Sequence, residues 1–465
     1  MNRSLAGDRT LSPSAAARAS RQGGRWLLIA AIALSCGCAT YSERVAEVRK
    51  EAGQGKYPVA LDKINRVMGV RSAKDLPKSW KGDQPLTVLE RSVLLQAMGE
   101  YELSLRDMSG AETELELLDL KTDTPGQIGK YVYSDSSQDY EASPTERLAL
   151  NALNTANYLA VGNLSGAAVE ARRFTNMRDY LDSIGLEAHG NFGAYLAGFT
   201  FERLGEGDRA LRYYEEALEG GRLDSLAEPV SRLAASNPYR GPRLEELLAG
   251  STYRAAGTAG PPTEILVVFP YGRVPHKVPK RIPIGAAVGL AGTWVTGNPA
   301  ILERSLFKVV VYPELEPSRS RANKATLKID GDSIPVELVS DLGAEITREY
   351  DEIKARILGA ALTRMIARAA VAEGARVAGS QAAGGAGAVV GVLAAFAAEG
   401  SLVALDKPDT RSWTLLPCRV AIARTTVSPG KHDVSVRVPG VSETRSVTVD
   451  VPAGGFAVVV VTVPR

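Results

Sequence analysis

From residue 41 to about residue 250, apolar side chains recur three and four positions apart among Leu, Ala, Glu and Arg, which is the period of amphipathic helices. One pattern appears four times in this half: a Gly, a small residue five positions on, then apolar residues four and seven further. The copies are Gly55, Ala60, Ile64, Val67; Gly99, Ser104, Met108, Ala111; Gly162, Ala167, Ala171, Phe174; and Gly205, Ala210, Tyr214, Ala217. The Gly turns the chain and the small residue lets two antiparallel helices approach. Such pairs cannot bury their apolar faces alone, so they stack. Their spacing is irregular, with a linker at 121–143, and the array is expected to be degenerate.

A different period takes over after the Gly- and Pro-rich stretch 256–262. Residues 265–269, 307–312, 325–329 and 334–338 read as strands, with Asp330-Gly331-Asp332 as a turn. Residues 414–424, 433–438, 445–451 and 456–463 read as further strands, separated by Pro429-Gly430, Pro439-Gly440 and Ala453-Gly454-Gly455. Strands this short at this spacing suggest a β-sandwich. Between the two sets, Ile346, Tyr350, Ile353, Ile357, Leu362, Met365 and Ile366 share one helical face. Residues 382–398 are uncharged and rich in Ala and Gly. They are too weakly apolar for a membrane span and are read as a helix packed on the sheet or a self-association face. The fold class is α+β: tetratricopeptide-like helical repeats over 39–255, a β-sandwich-like domain over 263–340 and 406–465, and an inserted Ala-rich helical segment over 341–405.

The N-terminus carries chemistry of another kind. Arg18, Arg21 and Arg25 precede a short apolar run, 26–34, and then Leu34-Ser35-Cys36-Gly37-Cys38-Ala39. A span needs about 20 apolar residues, so this run reads as a signal peptide over 1–38. The small residues before Cys resemble the lipobox of bacterial lipoproteins, whose Cys is lipidated and heads the mature chain. Cys38, with Gly37 before it and Ala39 after it, is the expected lipidation site, and Cys36 the alternative. The residue after it is not Asp, which implies an outer-membrane, periplasm-facing location in a diderm cell. Cys418 then stands alone and cannot close an internal disulfide with another mature cysteine. A net charge of +2 provides no drive toward nucleic acid.

Gly198 and Phe201 precede the fourth copy where a tetratricopeptide repeat places its small and aromatic residues, and residues 191–220 resemble that family closely. Further runs extend the likeness: Tyr158, Leu159 and Gly162; Glu170, Ala171, Arg172 and Arg173; Gly272 to Lys277 leading to Arg281; and Asp409-Thr410-Arg411-Ser412-Trp413. Together they resemble a family of bacterial lipoproteins with tetratricopeptide-like repeats, some of which lie beside genes for lipoproteins that activate peptidoglycan synthases. The repeats are expected to offer a concave surface that binds a segment of an envelope protein partner, with Tyr158, Glu170, Arg172, Arg173, Phe201 and Tyr214 as candidates, or else to be a helical scaffold with no groove ligand. Arg172 and Arg173 are adjacent, so both cannot face the core, and a buried pair with Glu146 or Glu202 is the other reading. Asp409 and Arg411, two apart, are expected on one strand face, with Trp413 anchoring the inserted helix to the sheet. With Lys277 and Arg281 they are the alternative ligand-binding corner.

Enzyme signatures are missing from the sequence. His189, His276 and His432 are the three histidines, none at ligand spacing from another His or Cys. There is no phosphate-binding Gly-x-x-x-x-Gly-Lys-Ser/Thr and no Gly-x-Ser-x-Gly elbow. The expectation is a non-enzymatic, membrane-anchored envelope scaffold without metal or cofactor. The alternative is a carrier that encloses an apolar or small ligand in a cavity lined by the Ile346–Ile366 face.

Overall fold

A computed structural model describes residues 39–121, 140, 142–186, 190–250, 261–295, 299, 309–317, 325–382, 408–437 and 444–465. Cys36, Cys38, His189 and the Ala- and Gly-rich stretch 383–398 lie outside them. The helical half runs α1 (Tyr41–Arg44), α2 (Ala46–Gly53), α3 (Tyr57–Met68), α4 (Gln84–Ala97), α5 (Tyr101–Lys121), α6 (Pro144–Ala160), α7 (Leu164–Ser183), α8 (Asn191–Arg203), α9 (Gly207–Ala217), α10 (Ala227–Ala234) and α11 (Pro242–Ala249).

The four glycines of the repeated pattern close four helix–helix turns. Gly55, Gly99, Gly162 and Gly205 have φ of 75°, 81°, 72° and 78°. In each turn the next residue donates its N–H to the carbonyl five residues back: Lys56 to Glu51, Glu100 to Leu95, Asn163 to Tyr158 and Glu206 to Phe201. This is the left-handed helix end that glycine adopts without a Cβ penalty. Space is not the constraint at Gly99, Gly162 or Gly205, where an added Cβ would meet nothing within 4 Å. The backbone angle is. Ala60, Ser104, Ala167 and Ala210 are fully buried where the paired helices touch.

Three of these helices are buried all round. Every residue of α4 from Pro85 to Ala97 and of α8 from Asn191 to Glu202 is buried, and α6 is nearly so. Their partners α5, α7 and α9 each keep an exposed side. A helix buried on every face needs packing on both sides. The second side is a sheet of the same chain.

The strands are β1 (Glu264–Tyr271), β2 (His276–Pro283), β3 (Val309–Glu316), β4 (Thr326–Ile329), β5 (Asp332–Ile334), β6 (Glu337–Asp341), β7 (Arg419–Thr426), β8 (Gly430–Arg437), β9 (Thr444–Val451) and β10 (Phe456–Val460). They form a four-stranded sheet ordered β10-β1-β7-β6, a four-stranded sheet ordered β5-β4-β8-β9, and the hairpin β2-β3. Within the first sheet β1 and β10 are parallel and the other pairs antiparallel. Its two faces go to different cores, as period-two alternation requires. Leu266, Val268, Val420, Ile422, Val458 and Val460 join the helical core. Ile265, Val267, Phe269, Ala421, Ala423 and Val459 meet Leu327, Ile329, Val434, Val436 and Val451 of the second sheet. The expected turn at 330–331 joins β4 to β5, with Asp330 at φ 53° and Gly331 at φ 93°.

The hairpin carries a third core. Helices α12 (Ile284–Ala291) and α13 (Leu342–Ala382) pack on it through Ala287, Ala291, Val310, Tyr312, Ile357, Leu358, Leu362 and Met365. Strand β2 was not expected, because prolines at 279 and 283 mask its pattern. Pro279 sits directly opposite Pro313. Neither has an N–H, so this pair falls where ladder bonds are absent, and each proline removes a donor from an outer edge. The edges are thereby protected against further strand pairing.

Two expectations are corrected here. Residues 414–418 are not strand; β7 begins at Arg419. The Ile346–Ile366 face is mostly packed instead of lining an internal cavity, and Tyr350 is its member that borders an open concavity. Ile357, Leu362, Met365 and Ile366 are filled in by the hairpin and α12, and Ile346 packs against the helical core. Residues 41–465 form one compact unit.

Candidate functional site

The Asp409–Trp413 run lies in the seam between the helices and the first sheet. Residues 408–418 have no regular structure, so their backbone groups need partners from elsewhere. Two buried helical carboxylates supply them. Glu90 on α4 accepts from Thr414 N and Thr414 Oγ1, both at 2.7 Å, and from Leu415 N at 2.7 Å. Glu146 on α6 accepts from Trp413 N at 2.6 Å and from Tyr140 OH at 2.6 Å. Thr410 Oγ1 accepts from Ser42 N at 3.2 Å, and Ser412 Oγ from Lys277 N at 3.2 Å. Glu90 is fully buried, and burial pushes its carboxyl up to about 7 against those hydrogen bonds.

Trp413 is fully buried among the helices, in the helical core. It anchors the loop to the helices rather than the inserted helix to the sheet. Asp409 and Arg411 pair with each other, Nη2 to Oδ2 at 2.7 Å and Nε to Oδ1 at 2.8 Å, in a loop rather than on a strand face. Lys277 is partly buried on β2 and Arg281 is exposed on the same strand. The four residues do not converge on an open cleft.

A second polar cluster crosses the seam further along. Arg424 of β7 bridges Glu264 of β1 (2.6 and 2.8 Å) and Glu202 of α8 (2.7 Å), and donates to Tyr214 OH at 2.9 Å. Arg232 also pairs with Glu202, and Arg203 with Glu264. Burial alone would raise Glu202; Arg424 and Arg232 beside it outweigh that and hold its carboxyl at about 2.

The repeat candidates separate by exposure. Glu170, Phe201 and Tyr214 are buried. Tyr214 donates to Glu202, Glu170 accepts from Asn151 Nδ2 at 3.2 Å, and Phe201 stacks on Tyr213 with centroids 5.4 Å apart. Arg173 bridges Glu112 at 2.6 Å and Glu170 at 3.4 Å. Tyr158 is half-buried with its ring against Gly166, where a Cβ would stand 2.2 Å away. Arg172 is exposed and lies 5.8 Å from the Phe201 ring centroid.

A concavity of about 840 Å³ opens on the polar side of α13, beside the ends of β3, β6 and β7. Thr347, Arg348, Asp351, Lys354, Asp341 and Arg419 line it. Its charges are largely matched: Lys354 with Glu314 at 2.9 Å and Arg419 with Asp341 at 2.9 Å. Nearby, burial pushes Glu349 up to about 7, and burial with the adjoining Glu349 charge does the same to Glu345. Among the described residues no three His, Cys, Asp or Glu side chains group as metal ligands.

Glu90 and Arg424 were not singled out in the sequence, and Glu146 and Glu202 stood out there only as buried partners for Arg172 or Arg173. Their signal was a charge among apolar neighbours in a helix or strand, as at Glu90 and the adjacent Arg91 within Leu86 to Leu95. No family model, curated protein or solved structure matches the chain.

Proposed function

We propose that the chain is a lipid-anchored envelope protein, held at Cys38 and working as an interaction scaffold without chemistry of its own. One observation carries this reading: the packed body starts immediately after the lipobox. Tyr41, Ser42 and Val45 are already buried, and Ser42 N is bonded to Thr410. Ala39 and Thr40 alone separate Cys38 from α1, a reach of at most about 11 Å at full extension. An acyl anchor there would hold the body close to an outer-membrane leaflet, facing the periplasm. No described helix is long and apolar enough to cross a membrane.

We read the helix pairs as degenerate tetratricopeptide-like repeats and the two face-packed sheets as a sandwich-like unit. The partner surface in this reading is the outer side of α7 and α9. Arg172 is exposed there, with Val169 and Tyr180 43–46% exposed. The inner helices are spent on the chain's own sheet. The carrier reading keeps one support, the open cleft beside α13, whose lining mixes charged groups with apolar surface from Pro275, Leu315 and Tyr350.

Fatty-acid labelling in a bacterial host with an alkyne-tagged acyl chain tests the anchor. Wild type and Cys36→Ala are expected to carry label and fractionate with membranes, and Cys38→Ala to lose both. Label retained in Cys38→Ala, or absent from wild type, refutes the reading.

A further inference from the structure

The far end of the β2–β3 hairpin is built unlike the rest of the surface. Pro283 to Val295 is a run without a charged residue, spanning α12 and the turn after it. One side of α12 is sealed against α13 by Ala287 and Ala291. The other side is open: Leu290 is 57% and Trp294 53% exposed, and Val309, opposite Pro283 across the hairpin, is 45% exposed. Such large apolar groups grouped at one tip are unusual for a monomer's surface.

Trp294 is held there by construction. Its backbone lies against Gly359 of α13, where a Cβ would stand 2.5 Å from the Trp294 carbonyl oxygen. Only a residue without a Cβ lets the two segments approach so closely. The indole is 53% exposed, with the Arg356 guanidinium of α13 5.1 Å from its ring centroid. Lys280 and Arg281 are exposed on the strand that leads into α12. Lys280 gives part of its charge to Glu314, 3.7 Å away. The tip therefore has an apolar point, one indole and a cationic collar.

We propose that this tip is a lipid-contacting surface: Leu290 and Trp294 enter the headgroup boundary of an anionic leaflet while Lys280, Arg281 and Arg356 meet its phosphates. The chemistry fits that occupant. An indole with an apolar body and an N–H settles at the interface, and an eight-residue helix can lie there but not span. Arg keeps its stem on apolar surface and its charge among phosphates. Lysine and arginine near anionic lipid each add to binding, and salt weakens them. This contact needs no acyl chain, so it stands or falls apart from Cys38.

The test uses the unlipidated body, residues 41–465, which is one compact unit, with vesicles of phosphatidylcholine alone or containing phosphatidylglycerol. Sedimentation and indole emission are read together. Of the three tryptophans in this body, Trp413 is sealed in the core and Trp80 is half-buried against it, so Trp294 is the most exposed reporter and Trp294→Phe isolates its signal. Binding to the anionic vesicles, with a blue shift lost in Trp294→Phe, is expected. Leu290→Ser/Trp294→Ala should cut binding about tenfold or more. Lys280→Glu/Arg281→Glu should remove the preference for anionic lipid and leave the thermal transition unchanged. Equal sedimentation with both vesicle types overturns the proposal, as does a blue shift without vesicles that follows self-association in the ultracentrifuge.

Discussion

The seam between helices and sheet and the tip of the hairpin solve opposite problems. In the seam, charged groups are buried: Arg424 and Glu202 are bonded to each other, and Glu90 holds three donors. At the tip, apolar groups are exposed and charges form the rim. A buried charge persists only when paired, and its pairing fixes one arrangement of the elements that carry it. An exposed Leu or Trp contributes little to the fold and is free to meet something else. The contrast teaches where this chain keeps its structure and where it offers a surface.

The sharpest way to break the contrast is to cut a seam charge. Arg424→Ala leaves Glu202 and Glu264 without their shared partner and should cost about 3–5 kcal/mol in urea unfolding. Trp413→Ala should cost about as much, since it removes a fully buried indole and leaves a cavity. An effect below about 1 kcal/mol for either would move the seam into the class of ordinary surface.

The pH dependence of stability comes next. Folded Glu90 titrates near 7, while the unfolded side chain keeps its ordinary value near 4.5. Between those values the folded state holds a proton that the unfolded state lacks. Stability therefore falls as pH rises from about 4.5 to 7, by roughly 2–3 kcal/mol. Glu202 acts in the opposite sense: its depressed value gives stability that is present above pH 4.5 and lost as pH falls toward 2. Melting temperature is expected to peak near pH 5. Glu90→Gln should make the neutral side of that curve shallower, with Glu345 and Glu349 supplying the remaining slope, and leave the acid side in place. An unchanged neutral side would assign the slope to Glu345 and Glu349 instead.

Arg173→Ala should cost about 1 kcal/mol, because its side chain is 40% exposed and its two pairs are screened. At the tip and along β2 the expected costs are smaller still. Lys277→Ala, Arg281→Ala and Leu290→Ser should each stay within about 0.5 kcal/mol of wild type. A tip variant that unfolds the protein would mean that α12 is structure and not surface.

The helical array was legible because its signal is local. Each Gly and the small residue after it lie within one turn and one helix, so spacing alone places them. The paired β4–β5 turn at Asp330-Gly331 was legible for the same reason. The seam was not. Thr414 is bonded to Glu90 across 324 positions and Trp413 to Glu146 across 267. A carboxylate in an apolar helix tells the reader that it has a partner and not which one. The Asp-Thr-Arg-Ser-Trp run stood out in the sequence for its residue types, yet its work is to be gripped. Strand β2 was hidden by the prolines that protect it.

Amide hydrogen exchange over the whole body tests most directly whether the inner helices are closed structure rather than an open groove. The account predicts that α4, α6, α8 and the amides of Trp413, Thr414 and Leu415 exchange together, at the slow limit set by global unfolding, while the outer sides of α7 and α9 exchange sooner. Fast exchange at Trp413 to Leu415, with α4 and α6 opening ahead of the sheet, would contradict it: the seam would then be a groove that the chain itself occupies only part of the time.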